Sequence, residues 1–337
     1  MNKPEFQITP EVDNVAIEVV TGLDLRRISM PAGPAQGRAL IFDIEDLESR
    51  LYPFYELINK SFNPEWGYCP PPETNLGVNV PQLLARSKPE SKRIPQEEVL
   101  RFVFACNTLH TNFVRGNGFV IADGELVCKP PGAVALDGHE YLPVGHHPLC
   151  NSDNARFFPY ETLILAPGPP EVRTVAVNKN VLLDPENIQL AISGPRLVEA
   201  SKNVVDRIPV RPKQQGQTVG NEINYDPYTE RTSFTAFGVE KGTNKIIAVS
   251  MFAGESSEPD DDICFFKAGQ GQGITLDEMA ELMIALRASD AIAGGGAGDT
   301  QQYVYKQGIW AGQPRHQPDR PQVEGLRGLG AIFALLV

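Results

Sequence analysis

The chain has 337 residues, with 30 Lys+Arg against 42 Asp+Glu, a formal charge of −12, and 42% hydrophobic residues. That length supports one large domain or two ordinary ones, and the apolar content excludes wholesale disorder. A net negative surface opposes non-specific nucleic-acid binding, and no apolar run reaches the roughly 18 residues a membrane helix needs.

The opening MNKPEFQITPEVDN is polar, unlike a secretory leader, so a cytoplasmic protein is expected. The first 35 residues alternate weakly, and VAIEVVTGLDLRRISM predicts edge strands joined through Gly22. A short strand is expected over Ala39 to Phe42. Leu47, Leu51, Phe54 and Ile58 then recur at helical spacing, which predicts a helix over Glu45 to Ile58. From Asn63 to Pro95 a Pro-, Asn- and Gly-rich stretch reads as a lid, insertion or wrapping arm. Residues 1–98 are accordingly read as an extension that completes a sheet edge or covers the rest, and 99–337 as the main domain.

Dense apolar residues from Val99 to Cys106 predict a core strand or short buried helix. FVIADGELV predicts a hairpin around Asp123-Gly124. Cys128 to Pro170 reads as irregular, and VRTVAVNKNVLL and IQLAISGPRLV as strands. SFTAFGVEKGTNKIIAVSMFAG reads as strand, turn, strand. Thr275, with Glu278 three residues later, signals a capped helix whose buried stripe is Leu276, Met279, Ala280, Met283 and Leu286. GGGAGDTQQYV reads as a glycine-dense turn feeding a strand, and AIFALLV as a last strand. Many strands and few helices predict an α+β fold built on a curved mixed sheet with long irregular loops.

Glycines crowd at Gly294, Gly295, Gly296 and Gly298, where unobstructed amides can form a nest for a phosphate or an oxyanion; a tight structural turn is the plain alternative. Neither a P-loop nor a dinucleotide fingerprint is present. The five cysteines (Cys69, Cys106, Cys128, Cys150, Cys264) have spacings that fit neither a disulfide scaffold nor a zinc ribbon. His139, His146, His147 and Cys150, with Asp137 and Glu140, could line a metal site, but their irregular spacing in a Pro-rich loop favours a structural reading. Glu258, Asp260, Asp261 and Asp262 offer oxygens to a calcium ion but read more simply as a solvated acidic loop. No cofactor is expected.

FTAFGVEKGTNKIIAVSMFAG, GITLDEMAELMIALRASDAIAGGGAGDTQQYV, FACNTLHTNF and GFVIADGELV together resemble the phosphodiester glycosidase domain family. The resemblance spans roughly residues 100 to 337 and concentrates between 234 and 305. It implies a hydrolase of small glycosylated or phosphodiester-containing molecules. Thr235, Ala236 and Gly238 match its first strand motif, and Asn107 its early strand end. Phe234 stands where the family has Arg, Glu255 closes the place of an Asp-Gly-Arg motif, and Gly295 stands where it has Asp. Gly296 and Gly298 fall on its glycines, Asp299 on its Ser, while Thr300 keeps a hydroxyl.

Under this resemblance Asp299 and Glu255 are the candidate acid/base pair, and His110 is a third candidate near Asn107. Arg231 and Arg196 are candidate replacements for the lost anion contact. Phe234 offers an aromatic face to a neutral or cationic group. The implied partner is a small-molecule substrate, with no nucleic acid or membrane, and the oligomeric state is left open. Two alternatives stand beside hydrolysis: the same fold repurposed for other chemistry on a neutral or cationic metabolite in bacterial biosynthesis, and a non-catalytic binding protein.

Overall fold

The structure is a computed structural model that describes residues 4–11, 23–31, 35–44, 50–54, 102–107, 111–112, 115–116, 120–122, 125–128, 159–176, 187–188, 190–210, 223, 225–253, 263–265, 273–296, 300–304, 308–311 and 332–336. In chain order the strands are β1 (Gln7–Pro10), β2 (Leu23–Met30), β3 (Ala35–Asp43), β4 (Arg50–Phe54), β5 (Phe102–Asn107), β6 (Thr111–Asn112) and β7 (Arg115–Gly116). They continue with β8 (Val120–Ala122), β9 (Glu125–Cys128), β10 (Pro159–Leu165), β11 (Glu171–Ala176), β12 (Leu190–Ser193), β13 (Arg196–Glu199) and β14 (Lys202–Asn203). The last group is β15 (Phe234–Val239), β16 (Lys245–Ala253), β17 (Ile263–Phe265), β18 (Asp290–Gly296), β19 (Gln301–Val304), β20 (Gly308–Ala311) and β21 (Ile332–Leu336). Helix α1 (Leu276–Ala285) lies between β17 and β18.

The architecture is sheet-dominated, with a curved sheet and, among the described residues, one α-helix. An eight-stranded sheet runs β1-β2-β3-β16-β15-β18-β13-β14 and is antiparallel at every pairing. A five-stranded sheet runs β11-β10-β12-β8-β9. A six-stranded sheet runs β17-β20-β19-β5-β21-β4 and contains a parallel pair, β17 with β20. The expected hairpin closes with Ala122 opposite Glu125.

The eight-stranded sheet is apolar on both faces because it is covered on both. On one face Ile28, Ala39, Ala236, Ile247, Val249, Met251, Ala291 and Ala293 pack against Leu276, Met279, Ala280 and Met283 of α1. The helix approaches so closely that a Cβ on Gly238 would lie 2.6 Å from Met283 Cε and 2.9 Å from the Asp290 carbonyl. On the other face Leu40, Phe42, Phe237, Val239, Ile246, Ala248 and Ile292 meet Leu163, Leu165, Leu190 and Ile192 of the five-stranded sheet. The helix begins in the expected capping box: Thr275 Oγ1 accepts from the Glu278 amide, and Glu278 Oε2 accepts from the Thr275 amide.

Three expectations are corrected. Arg50–Phe54 is a strand paired with β21, where a helix was expected; Pro53 inside the segment lacks the amide a helix interior needs. Pro159–Leu165 is a strand inside a stretch expected to be irregular, with alternation too short to signal itself. Gly294, Gly295 and Gly296 close a strand, where a turn was expected.

Candidate functional site

Alternation decides what each face of the eight-stranded sheet offers. Two residues beyond the apolar row Leu40, Ala248 and Phe237, the same face presents Arg38, Ser250 and Thr235, which the register places side by side. Thr235 Oγ1 and Ser250 Oγ share a hydrogen bond of 3.1 Å, and both residues are fully buried. Arg38 is buried too, with its Nε donating to Glu11 Oε1 at 3.1 Å and Oε2 at 3.2 Å; Arg27 Nε adds a third contact to Glu11 Oε1 at 3.0 Å. From the six-stranded sheet, Gln302 Nε2 donates to the Arg38 carbonyl at 3.3 Å. The covered face therefore changes from apolar to polar toward one end of the sheet.

That end is also where two strands finish. Phe234, the first residue of β15, pairs with Met251 near the end of β16 on one side and with Gly296 at the end of β18 on the other. Between Phe234 and Ala236 the partner on β18 moves from Gly296 to Ala293, so three steps face two and a β-bulge falls at Gly294 and Gly295. After residue 296 the chain passes into β19 of the six-stranded sheet, whose Gln302 pairs with Cys106, next to Asn107 at the end of β5. The seam between the two sheets thus gathers the ends of β16, β18 and β5 with the starts of β15 and β19.

The structure separates the sequence-derived candidates. Thr235, Gly295 and Gly296 meet at the bulge, and Thr300 and the backbone of Asn107 lie at the neighbouring strand ends. Thr300 is fully buried. Phe234 points to the helix side: it is 1% exposed, its ring centroid lies 5.7 Å from that of Tyr225, and a Cβ on Gly296 would come within 2.6 Å of its Cε1. Its ring packs within the core on the helix side.

Arg231 and Arg196 do not join the seam as anion donors. Arg231 bonds to Glu278, the capping carboxylate, and donates to the Gly273 carbonyl at 2.9 Å. Arg196 pairs with Ile292 in register and carries its guanidinium to Glu161, at 3.0 Å, and to Asp290 at the opposite end of β18. Both guanidiniums are engaged by carboxylates. Asp299, Glu255, His110 and Gly298 lie outside the described residues, as do the histidine-rich loop and the acidic run 258–262. Among the described residues no group of three or more His, Cys, Asp or Glu is arranged to hold a metal ion.

Glu11, Arg38, Ser250 and Gln302 were not singled out as site residues from sequence. The available signal was a polar residue inside an apolar strand: Arg38 before ALIF, and Ser250 within IIAVSMF. At the seam, the buried Thr300 Oγ1 and Gln302 Oε1 have no hydrogen-bond partner among the described residues. A buried polar group left in that state costs about 1–3 kcal/mol.

No known protein family and no curated protein matches this sequence. Among solved structures, the chain is similar to the zebrafish N-acetylglucosamine-1-phosphodiester alpha-N-acetylglucosaminidase catalytic domain, auto-inhibited by pro-peptide. The two are 14% identical, with a TM-score of 0.48 over 99% of this chain and 87% of that one. It is also similar to a hypothetical protein from Synechocystis, at 12% identity and a TM-score of 0.46, over 94% of this chain and 62% of that one. With TM-scores below 0.5, neither likeness assigns chemistry to this chain.

Proposed function

We propose that this protein is a hydrolase of a small glycosylated or phosphodiester-containing metabolite, with its site at the seam between the eight- and six-stranded sheets. Asp299 and Glu255 serve as the acid/base pair, and the backbone from Gly295 to Gly298 holds the phosphate or the developing oxyanion. The observation that carries this reading is topological. β16, which leads to Glu255, and β18, which leads to Asp299, end on either side of β15 at the same end of one sheet. Strands two places apart are separated by about 9.5 Å, comparable to the roughly 5–9.5 Å between paired carboxyl groups in glycoside hydrolysis. In that reaction one carboxylic acid protonates the leaving oxygen as its bond to carbon breaks. The other carboxylate takes a proton from the attacking water or acts as the nucleophile.

A second reading, a neutral glycosylated substrate, is favoured by one observation: Arg196 and Arg231 are both engaged by carboxylates. The test is a panel of glycosyl phosphodiesters and uncharged glycosides incubated with the full chain, with released sugar read by mass spectrometry. Release from a phosphodiester supports the first reading, and release from uncharged glycosides alone supports the second. No release from any member, under conditions where the protein is folded, overturns both.

A further inference from the structure

Thr300, immediately before β19 and next to Asp299 in the chain, and Gln302, the second residue of β19, stand two residues apart and are both fully buried. In an extended chain residues two apart face the same side. Gln302 commits its amide nitrogen to the Arg38 carbonyl, which fixes the side-chain amide and leaves Oε1 as an acceptor. Thr300 Oγ1 also has no partner among the described residues, and a hydroxyl can both give and take a hydrogen bond. The buried polar row of Arg38, Ser250 and Thr235 lies on the neighbouring sheet, and the Arg38 carbonyl joins the two. Burial excludes bulk water as the partner for two such atoms, and carboxylates or phosphates carry no proton to offer a Gln oxygen.

We propose that Thr300 Oγ1 and Gln302 Oε1 form a subsite for neutral hydroxyl donors, filled by a sugar hydroxyl of the ligand or by an ordered water that occupies the same place. This deepens the hydrolase reading, on which its place beside Asp299 rests. Thr300→Val and Gln302→Met remove the polar atoms at nearly constant volume, and Thr300→Ser keeps the hydroxyl as a control.

The test titrates N-acetylglucosamine into the full chain by calorimetry and compares high-resolution structures of wild type and variants. If a sugar hydroxyl fills the subsite, Thr300→Val and Gln302→Met each weaken binding at least tenfold, and Thr300→Ser restores it. If water fills it, wild-type density shows an ordered water within hydrogen-bond distance of Oγ1 and Oε1, absent in both variants, and sugar affinity does not change. The proposal is overturned if wild-type density holds neither, or if both atoms are bonded to protein donors. Wild-type turnover of glycosyl phosphodiesters separates the two readings. Turnover with an empty subsite removes this inference alone, and an occupied subsite without turnover removes only the hydrolase reading.

Discussion

Phe234 shows how one residue serves packing at a position where chemistry was expected. Its ring fills the space beside Gly296 and Tyr225 on the helix side, while its neighbour Thr235 turns to the polar row with Ser250. Phe234→Ala is expected to cost about 3–5 kcal/mol in urea unfolding, the loss typical of a buried aromatic truncation. An unchanged unfolding midpoint would place the ring outside the core. Tyr225 gives a second prediction at this scale. Desolvation, with a smaller contribution from the Glu230 charge, raises its phenol pKa above the ordinary 10.0. Above that value the unfolded chain loses the phenol proton while the folded one keeps it. The stability contribution is therefore full below pH about 10 and falls as pH rises through it. Urea midpoints followed from pH 8 to 11 should fall more steeply for wild type than for Tyr225→Phe, and parallel curves would contradict the shift. In the sequence, Thr235 could be read through its motif, but its bond to Ser250 depends on a register between distant segments. Arg196 read as an available cation because nothing local announces Glu161 or Asp290.

Helix α1 was the most legible element because its signals are local: an N-cap hydroxyl, a carboxylate three residues on and an apolar stripe. Thr275→Ala should cost about 1 kcal/mol, measured by urea unfolding, through loss of the cap to the Glu278 amide. The helix ends through Arg287 in the left-handed region, at φ 72°, where a side chain is strained. Arg287→Gly should therefore raise stability by about 0.5 kcal/mol, and a loss would show that the Arg side chain contributes more than its backbone strain costs. The strand Arg50–Phe54 was misread because apolar residues at helical spacing outweighed one Pro, whereas pairing with β21 depends on residues far along the chain. The glycines of β18 were misread for a related reason. Gly suggests a turn by its freedom, but here its missing side chain admits Phe234 and a bulge within a strand.

For the whole molecule, the sheet-rich α+β class was legible from the frequency of strands and the scarcity of helices. The division into eight-, five- and six-stranded sheets was not, because pairings such as β3 with β16 and β5 with β21 join residues roughly 200 apart, which no local pattern encodes. The seam between the eight- and six-stranded sheets depends on such pairings, as does its buried polar row. Acid/base chemistry by Asp299 at this seam is the central claim, and turnover by Asp299→Asn against wild type on the best phosphodiester or glycoside tests it most directly. The variant should retain the wild-type circular dichroism spectrum and melting temperature while turning over at least tenfold more slowly. A folded variant with wild-type turnover would contradict the claim and remove Asp299 from the mechanism.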